Sequence, residues 1–121
     1  MARIVVIEDD EMIRPLLVKV VELLGHEVFA EANGMAGLER VKACDPDVVI
    51  TDMIMPEKEG VETIRELRRN FPAIKIIAIS GGGRISSTDC LLLAKRFGAA
   101  YTLTKPFGRD ELKLAIETVL G

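Results

Sequence analysis

Five times over, the chain alternates between a short run of β-branched and other apolar residues and a stretch whose apolar residues recur at helical spacing. No other feature restricts the fold so strongly, because successive parallel strands can be joined only by a crossover, usually a helix. Arg3 to Ile7 is the first apolar run, and it stops at three acids, Glu8, Asp9 and Asp10, as a buried parallel strand does. From about Glu11 to Leu24, the residues Ile13, Leu16, Leu17, Val20, Val21 and Leu24 mark a helix that Gly25 ends. Pro15 falls near its first turns, where amide donors have no helical partner and a proline is tolerated. The pattern repeats as a strand over Glu27 to Ala32, a helix from about Met35 to Ala43 and a strand over Asp47 to Thr51. A helix from about Val61 to Asn70 then precedes a strand over Ile74 to Ile79, and a helix near Thr88 to Phe97 precedes a short strand over Tyr101 to Thr104. A helix from about Arg109 to Leu120 closes the series. The sequence therefore predicts an α/β fold, a doubly wound five-stranded parallel sheet with five helices covering both faces.

At 121 residues the chain has the length of one domain, expected to occupy 1–121, with no repeat, linker or low-complexity tract. No output domain is expected to be attached, so the domain is read as acting alone. Although 49% of residues are hydrophobic, no apolar run approaches the roughly 18 residues of a membrane span. The amino terminus meets acid too early for a secretory signal, which predicts a cytoplasmic location. Cys44 and Cys90 have no metal-ligand or CxxC spacing and are read as reduced, packing thiols. With a net charge of -3 and its 16 basic residues scattered, the domain is expected to bind neither nucleic acid directly nor a membrane.

Open parallel sheets bind ligands beyond the carboxyl ends of their strands, near the point where strand order reverses. Glu8, Asp9 and Asp10 follow the first strand, Asp52 the third, Ser80 the fourth, and Thr104 and Lys105 end the fifth, so every candidate polar group falls on one rim. Clustered carboxylates at the edge of an apolar sheet are costly unless a cation compensates them. Their oxygens suit a hard divalent ion such as Mg²⁺ or Mn²⁺, while the absence of clustered His or Cys argues against zinc. Lys105 offers an opposing ammonium for phosphate oxygens. An Asp beside such a metal can act as a nucleophile and form an acyl phosphate, and Asp52 is best placed to do so. Ser80 could hydrogen-bond a phosphoryl oxygen, and the amides of Gly81 and Gly82 could approach it closely. The plainer readings are helix capping by Glu8, Asp9, Asp10 or Asp52, turn chemistry for Ser80 and simple exposure for Lys105. His26, in a Gly-His-Glu turn, is read as an exposed loop residue without a role, and Met53 and Met55 as packing at the sheet end.

The segments IVVIEDD, VVITDMIMPEKEG, IIAISGG and LTKPF, in this order and each at a strand end, resemble the receiver domains of response regulators in two-component signalling. The resemblance covers essentially the whole chain and implies a flavodoxin-like sheet of order 2-1-3-4-5. It implies Asp52 as phosphoacceptor, and Asp9, Asp52 and the carbonyl of Ile54 as metal ligands, with Glu8 acting through water and Asp10 as an accessory acid. Ser80 would be the switch hydroxyl, Ser80 and Gly81 would meet the phosphate, and Lys105 would bind it ahead of a cis Pro106. Pro56 and Gly60 would shape the loop after Asp52. The implied partners are a sensor histidine kinase or histidine phosphotransfer protein, docking near the first helix and the metal-site loops. An unknown downstream protein would bind the face made by the helix near Thr88 to Phe97, the last strand and the last helix. The state implied is a monomer or a phosphorylation-dependent dimer.

One departure is that Thr102 stands where the family usually carries an aromatic switch residue, three positions before the lysine. Tyr101 precedes it, but strand alternation points the two side chains to opposite faces. The GGGRISS segment after the fourth strand, with three glycines that are costly to order, is where switching is expected. Three rival functions compete with a phosphorylation switch. A small Mg-dependent phosphatase needs a second acid, and Ile54 cannot supply it. A flavin binder needs a phosphate-cradling loop after the first strand and aromatic residues, but acids stand there and only 4% of the chain is aromatic. A receiver-like scaffold that works without phosphorylation gains from Thr102 and loses from the acids and the lysine.

Overall fold

The β-branched runs become strands because each can be buried on both faces at once. All five residues of Val48–Asp52 are buried, as are four of the five in Arg3–Ile7. The computed structural model describes residues 1–53, 59–80, 92 and 95–121. In chain order it contains β1 (Arg3–Ile7), α1 (Ile13–Leu23), β2 (Glu27–Glu31), α2 (Gly34–Cys44), β3 (Val48–Asp52), α3 (Glu59–Asn70), β4 (Lys75–Ser80), β5 (Tyr101–Thr104) and α4 (Arg109–Leu120). The helix expected near Thr88 to Phe97 is present at residues 92 and 95–97, and its other residues lie outside those described.

The strands form one parallel sheet in the order β2-β1-β3-β4-β5, the expected order. Strand alternation divides the core in two. Ile4, Val6, Ile50, Ile77 and Ile79 pack with Leu17 and Val21 of α1 and Leu112 and Ile116 of α4. Val5, Ile7, Val49 and Ile76 face the other way, onto Val41 of α2 and Ile64 and Leu67 of α3. Each such side chain removed from water contributes on the order of 1.5–3 kcal/mol, so two filled layers hold the sheet rigid beneath its rim. Gly37 lets α2 lie close to β1, since a Cβ there would fall on the side chain of Ile7.

The differences from the predicted boundaries have local causes. α1 begins at Ile13 rather than Glu11 because the Asp10 carboxylate accepts the amides of Met12 at 2.7 Å and Ile13 at 3.1 Å. Pro15 then sits in the first turn, as expected. α2 starts at Gly34, where Asn33 accepts the Ala36 amide at 2.8 Å as an N-cap. Met53 is buried in the α2/α3 layer, and Cys44 is a free, half-buried thiol; Met55 and Cys90 lie outside the described residues. His26 is half-buried rather than exposed, because its Nδ1 accepts the Ala2 amide at 3.0 Å where β1 begins. Among the described residues, no helix is long and apolar enough to cross a membrane.

Candidate functional site

Strand order reverses between β1 and β3, since β1 leads outward to β2 and the chain then returns to β1's other side. The carboxyl ends of these neighbouring strands bring Glu8, Asp9 and Asp52 together, with carboxylate oxygens all within 4.8 Å of one another. Glu8 and Asp52 are buried, at 0% and 3% exposure, while Asp9 faces solvent. Lys105, just past β5, reaches into the same point. Its Nζ donates to Glu8 Oε1 at 3.0 Å and to Asp52 Oδ2 at 2.9 Å, so one ammonium bridges the two buried acids. The Lys105–Pro106 peptide bond is cis.

The electrostatics follow from this crowding. Burial, reinforced by the neighbouring Asp52, pushes the Glu8 carboxyl up from 4.5 to about 7, against the opposing pull of Lys105. For Lys105, burial disfavours the charge, but the hydrogen bonds and charges of Asp52 and Glu8 outweigh it and hold the ammonium above its usual value. Among the described residues, the site thus gathers more negative charge than its one lysine offsets. Three clustered carboxylates with one exposed member form an oxygen donor set that suits a hard divalent cation.

Asp10 stands apart from this cluster, exposed and committed to the amides that open α1, which also hold its carboxyl below the usual range. Ser80, the last residue of β4, has a buried hydroxyl with no hydrogen-bond partner among the described residues. Its carbonyl accepts the Lys105 amide at 2.7 Å, tying the two residues together at the rim. An unpaired buried hydroxyl is costly, and a phosphoryl oxygen is the kind of acceptor it lacks. Ile54 and Gly81, together with Pro56 and Gly82, lie outside the described residues. Thr102 pairs with Ala78 across β4 and β5, while Tyr101 packs on the α1/α4 layer, so the tyrosine ring is on the opposite face.

Sequence reasoning missed Arg14, whose guanidinium donates to the Glu8 carbonyl at 2.9 Å and to Glu11 Oε2 at 2.7 Å. It also missed the groove that runs from the acids along α1. This cavity of about 820 Å³ has Glu8, Asp9, Asp52 and Lys105 at one end, with Leu16, Val20 and Phe107 among its apolar walls. Leu16 is 64% exposed although it belongs to the apolar repeat of α1, so periodicity alone reads it as core and gives no signal for the groove.

Comparison with known proteins agrees with this geometry. Residues 4–117 match the model of the response regulator receiver domain. The chain is 31% identical to chemotaxis protein CheY of Thermotoga maritima, over 97% of this chain and 96% of that protein. It is 30% identical to sporulation initiation phosphotransferase F of Bacillus subtilis, over 98% of this chain and 93% of that protein. It also matches longer proteins, spanning 50% of a probable C4-dicarboxylate response regulator, DctR, of Priestia megaterium at 32% identity. A response regulator receiver domain protein of Clostridium thermocellum has the same fold at TM-score 0.90 and 32% identity, covering 99% of this chain and 94% of that one. With its motifs, sheet order and acidic rim in agreement with a match across nearly its whole length, the chain belongs to the response regulator receiver domain family.

Proposed function

We propose that Asp52 is the phosphoacceptor of this receiver, that Asp9, Asp52 and the Ile54 carbonyl hold Mg²⁺ or Mn²⁺ with Glu8 acting through water, and that Lys105 and Ser80 receive the phosphoryl oxygens. The observation that carries this reading is the Lys105 ammonium held 2.9 Å from Asp52 and 3.0 Å from Glu8, beside the exposed Asp9 carboxylate. When bound, the cation supplies positive charge that neutralises the incoming phosphoryl group. An Asp52 oxygen attacks phosphorus as the phosphorus–nitrogen bond of a phosphohistidine breaks, and the imidazole leaves with the bonding electrons. Lys105 is already within reach of Asp52 and stabilises charge on the transferring group. Ser80 gains the acceptor its buried hydroxyl lacks among the described residues. Gly81 offers an amide to the same oxygens, and Asp10 serves the cation site only through the start of α1.

The phosphodonor is a sensor histidine kinase or a histidine phosphotransfer protein. The apolar groove that opens onto Asp9 and Asp52 along α1 supports this docking place, because an amphipathic helix could lie there with its phosphohistidine over the acids. The domain is a cytoplasmic signalling switch whose phosphorylation shifts its preference for a downstream protein, as a monomer or a phosphorylation-dependent dimer. Borohydride reduction after treatment with a small-molecule phosphodonor tests the acceptor, since it converts an aspartyl phosphate to homoserine. Homoserine at position 52 in peptide mapping is the expected result; homoserine at position 9 or 10 instead would overturn the assignment.

A further inference from the structure

We infer that Arg14 is a positioning residue that sets the β1–α1 loop so that Asp9 faces Asp52 before any cation arrives. The inference rests on the proposed cation site and concerns how its one exposed acid is held. Glu8 continues the pairing of β1 with β2 by donating its amide to the Glu31 carbonyl at 3.0 Å. β2 then ends, so the Glu8 carbonyl on the same side has run out of strand to bond. Arg14 takes that carbonyl at 2.9 Å from one guanidinium nitrogen, and with the other holds the Glu11 carboxylate at 2.7 Å. The Arg14 amide also donates to the Asp10 carbonyl at 3.0 Å.

One side chain thereby grips both ends of the turn that carries Asp9, from a helix packed into the core through Leu17 and Val21. The Arg14 side chain is largely shielded, at 19% exposure, whereas that of its Glu11 partner is 80% exposed. The Arg14–Glu11 pair is therefore worth little by itself, and the bond to the Glu8 carbonyl is the one that matters. Within the turn, the Asp10 amide donates to Glu8 Oε2 at 3.1 Å and the Asp10 carboxylate caps Met12 and Ile13. Asp9 alone among the three acids after β1 has its carboxylate exposed beside Asp52 while the backbone around it is fixed. A fork-shaped donor can serve two acceptors at once in a way that an ammonium cannot easily match.

The test is Mg²⁺ affinity, measured by following backbone amide shifts around Asp9 in the full chain for the wild type, Arg14→Met and Arg14→Lys. Arg14→Met is expected to raise the Kd for Mg²⁺ about tenfold, and Arg14→Lys about threefold, as each loses part of the grip. At saturating Mg²⁺ the phosphorylation rate should return close to that of the wild type, as expected of a residue that never touches the reacting atoms. A Kd within twofold of wild type in the folded variants overturns the inference even if their thermal stability has dropped, because Arg14 would then support only the fold. If Arg14→Met does not fold, Arg14→Lys carries the same test. If the wild type itself binds no Mg²⁺, the cation site falls and this inference with it, an outcome distinct from unchanged binding in the variants.

Discussion

Replacing Lys105 with Met removes the one cation that, among the described residues, bridges the two buried carboxylates, and keeps most of the apolar stem. In the metal-free protein, the Glu8–Lys105 and Asp52–Lys105 contacts at 3.0 and 2.9 Å are both lost. Removing one partner of a buried ion pair costs about 3–5 kcal/mol when the remaining charge has no escape. Glu8 has an escape, because its carboxyl already sits at about 7 and protonates near neutral pH. The expected loss is therefore about 2 kcal/mol at pH 6. It should grow by roughly 1.4 kcal/mol for each pH unit over which Glu8 must be protonated against the solution. For a domain of this size, about 2 kcal/mol corresponds to a fall in Tm of about 8 °C. Thermal unfolding at pH 6 and pH 8 with no divalent ion reads this directly. Mg²⁺ should recover more stability in Lys105→Met than in the wild type, because the ion no longer competes with an ammonium for the same oxygens. A variant that melts like the wild type at pH 8 without metal would refute the reasoning, since the acids would then need no counter-charge.

Two further predictions rest on the same rim. The Glu8 carboxyl, raised from 4.5 to about 7, makes a contribution to stability that is fully present below 4.5 and lost as pH rises through about 7. Without metal, wild-type stability should fall relative to Glu8→Gln by roughly 3 kcal/mol between pH 4.5 and 8. Urea unfolding across that range measures it, and parallel curves would contradict the burial argument. Ser80→Ala removes a buried hydroxyl that has no partner among the described residues. It should leave unphosphorylated stability unchanged or raise it by about 1 kcal/mol while slowing phosphorylation; a loss of stability without a change in rate would contradict the role given to Ser80.

The parallel sheet was legible because its signal is local: β-branched runs stopped by polar residues, separated by helical periodicity, admit few other arrangements. The meeting of Glu8, Asp9, Asp52 and Lys105 was legible for a topological reason, since strand ends in such a sheet share a rim. What escaped depends on contacts distant in sequence or on backbone groups left without strand partners. Nothing near His26 announces that the amide of Ala2 will meet its ring. Arg14 reads as one more polar position on an amphipathic helix until the end of β2 at Glu31 leaves the Glu8 carbonyl for it. Asp10 is the instructive intermediate, because the capping reading and the accessory-metal reading both fit the sequence. The hydrogen bonds to Met12 and Ile13 give its carboxylate the capping task.

The central claim is that Asp52 accepts a phosphoryl group with the help of a divalent cation. Intact-mass measurement after incubation with acetyl phosphate, with and without Mg²⁺, on the wild type and Asp52→Asn tests it most directly. A single phosphoryl adduct that requires Mg²⁺ and is missing from Asp52→Asn is the predicted result. An adduct that persists in Asp52→Asn, or no adduct in the wild type with Mg²⁺ present, would contradict the claim.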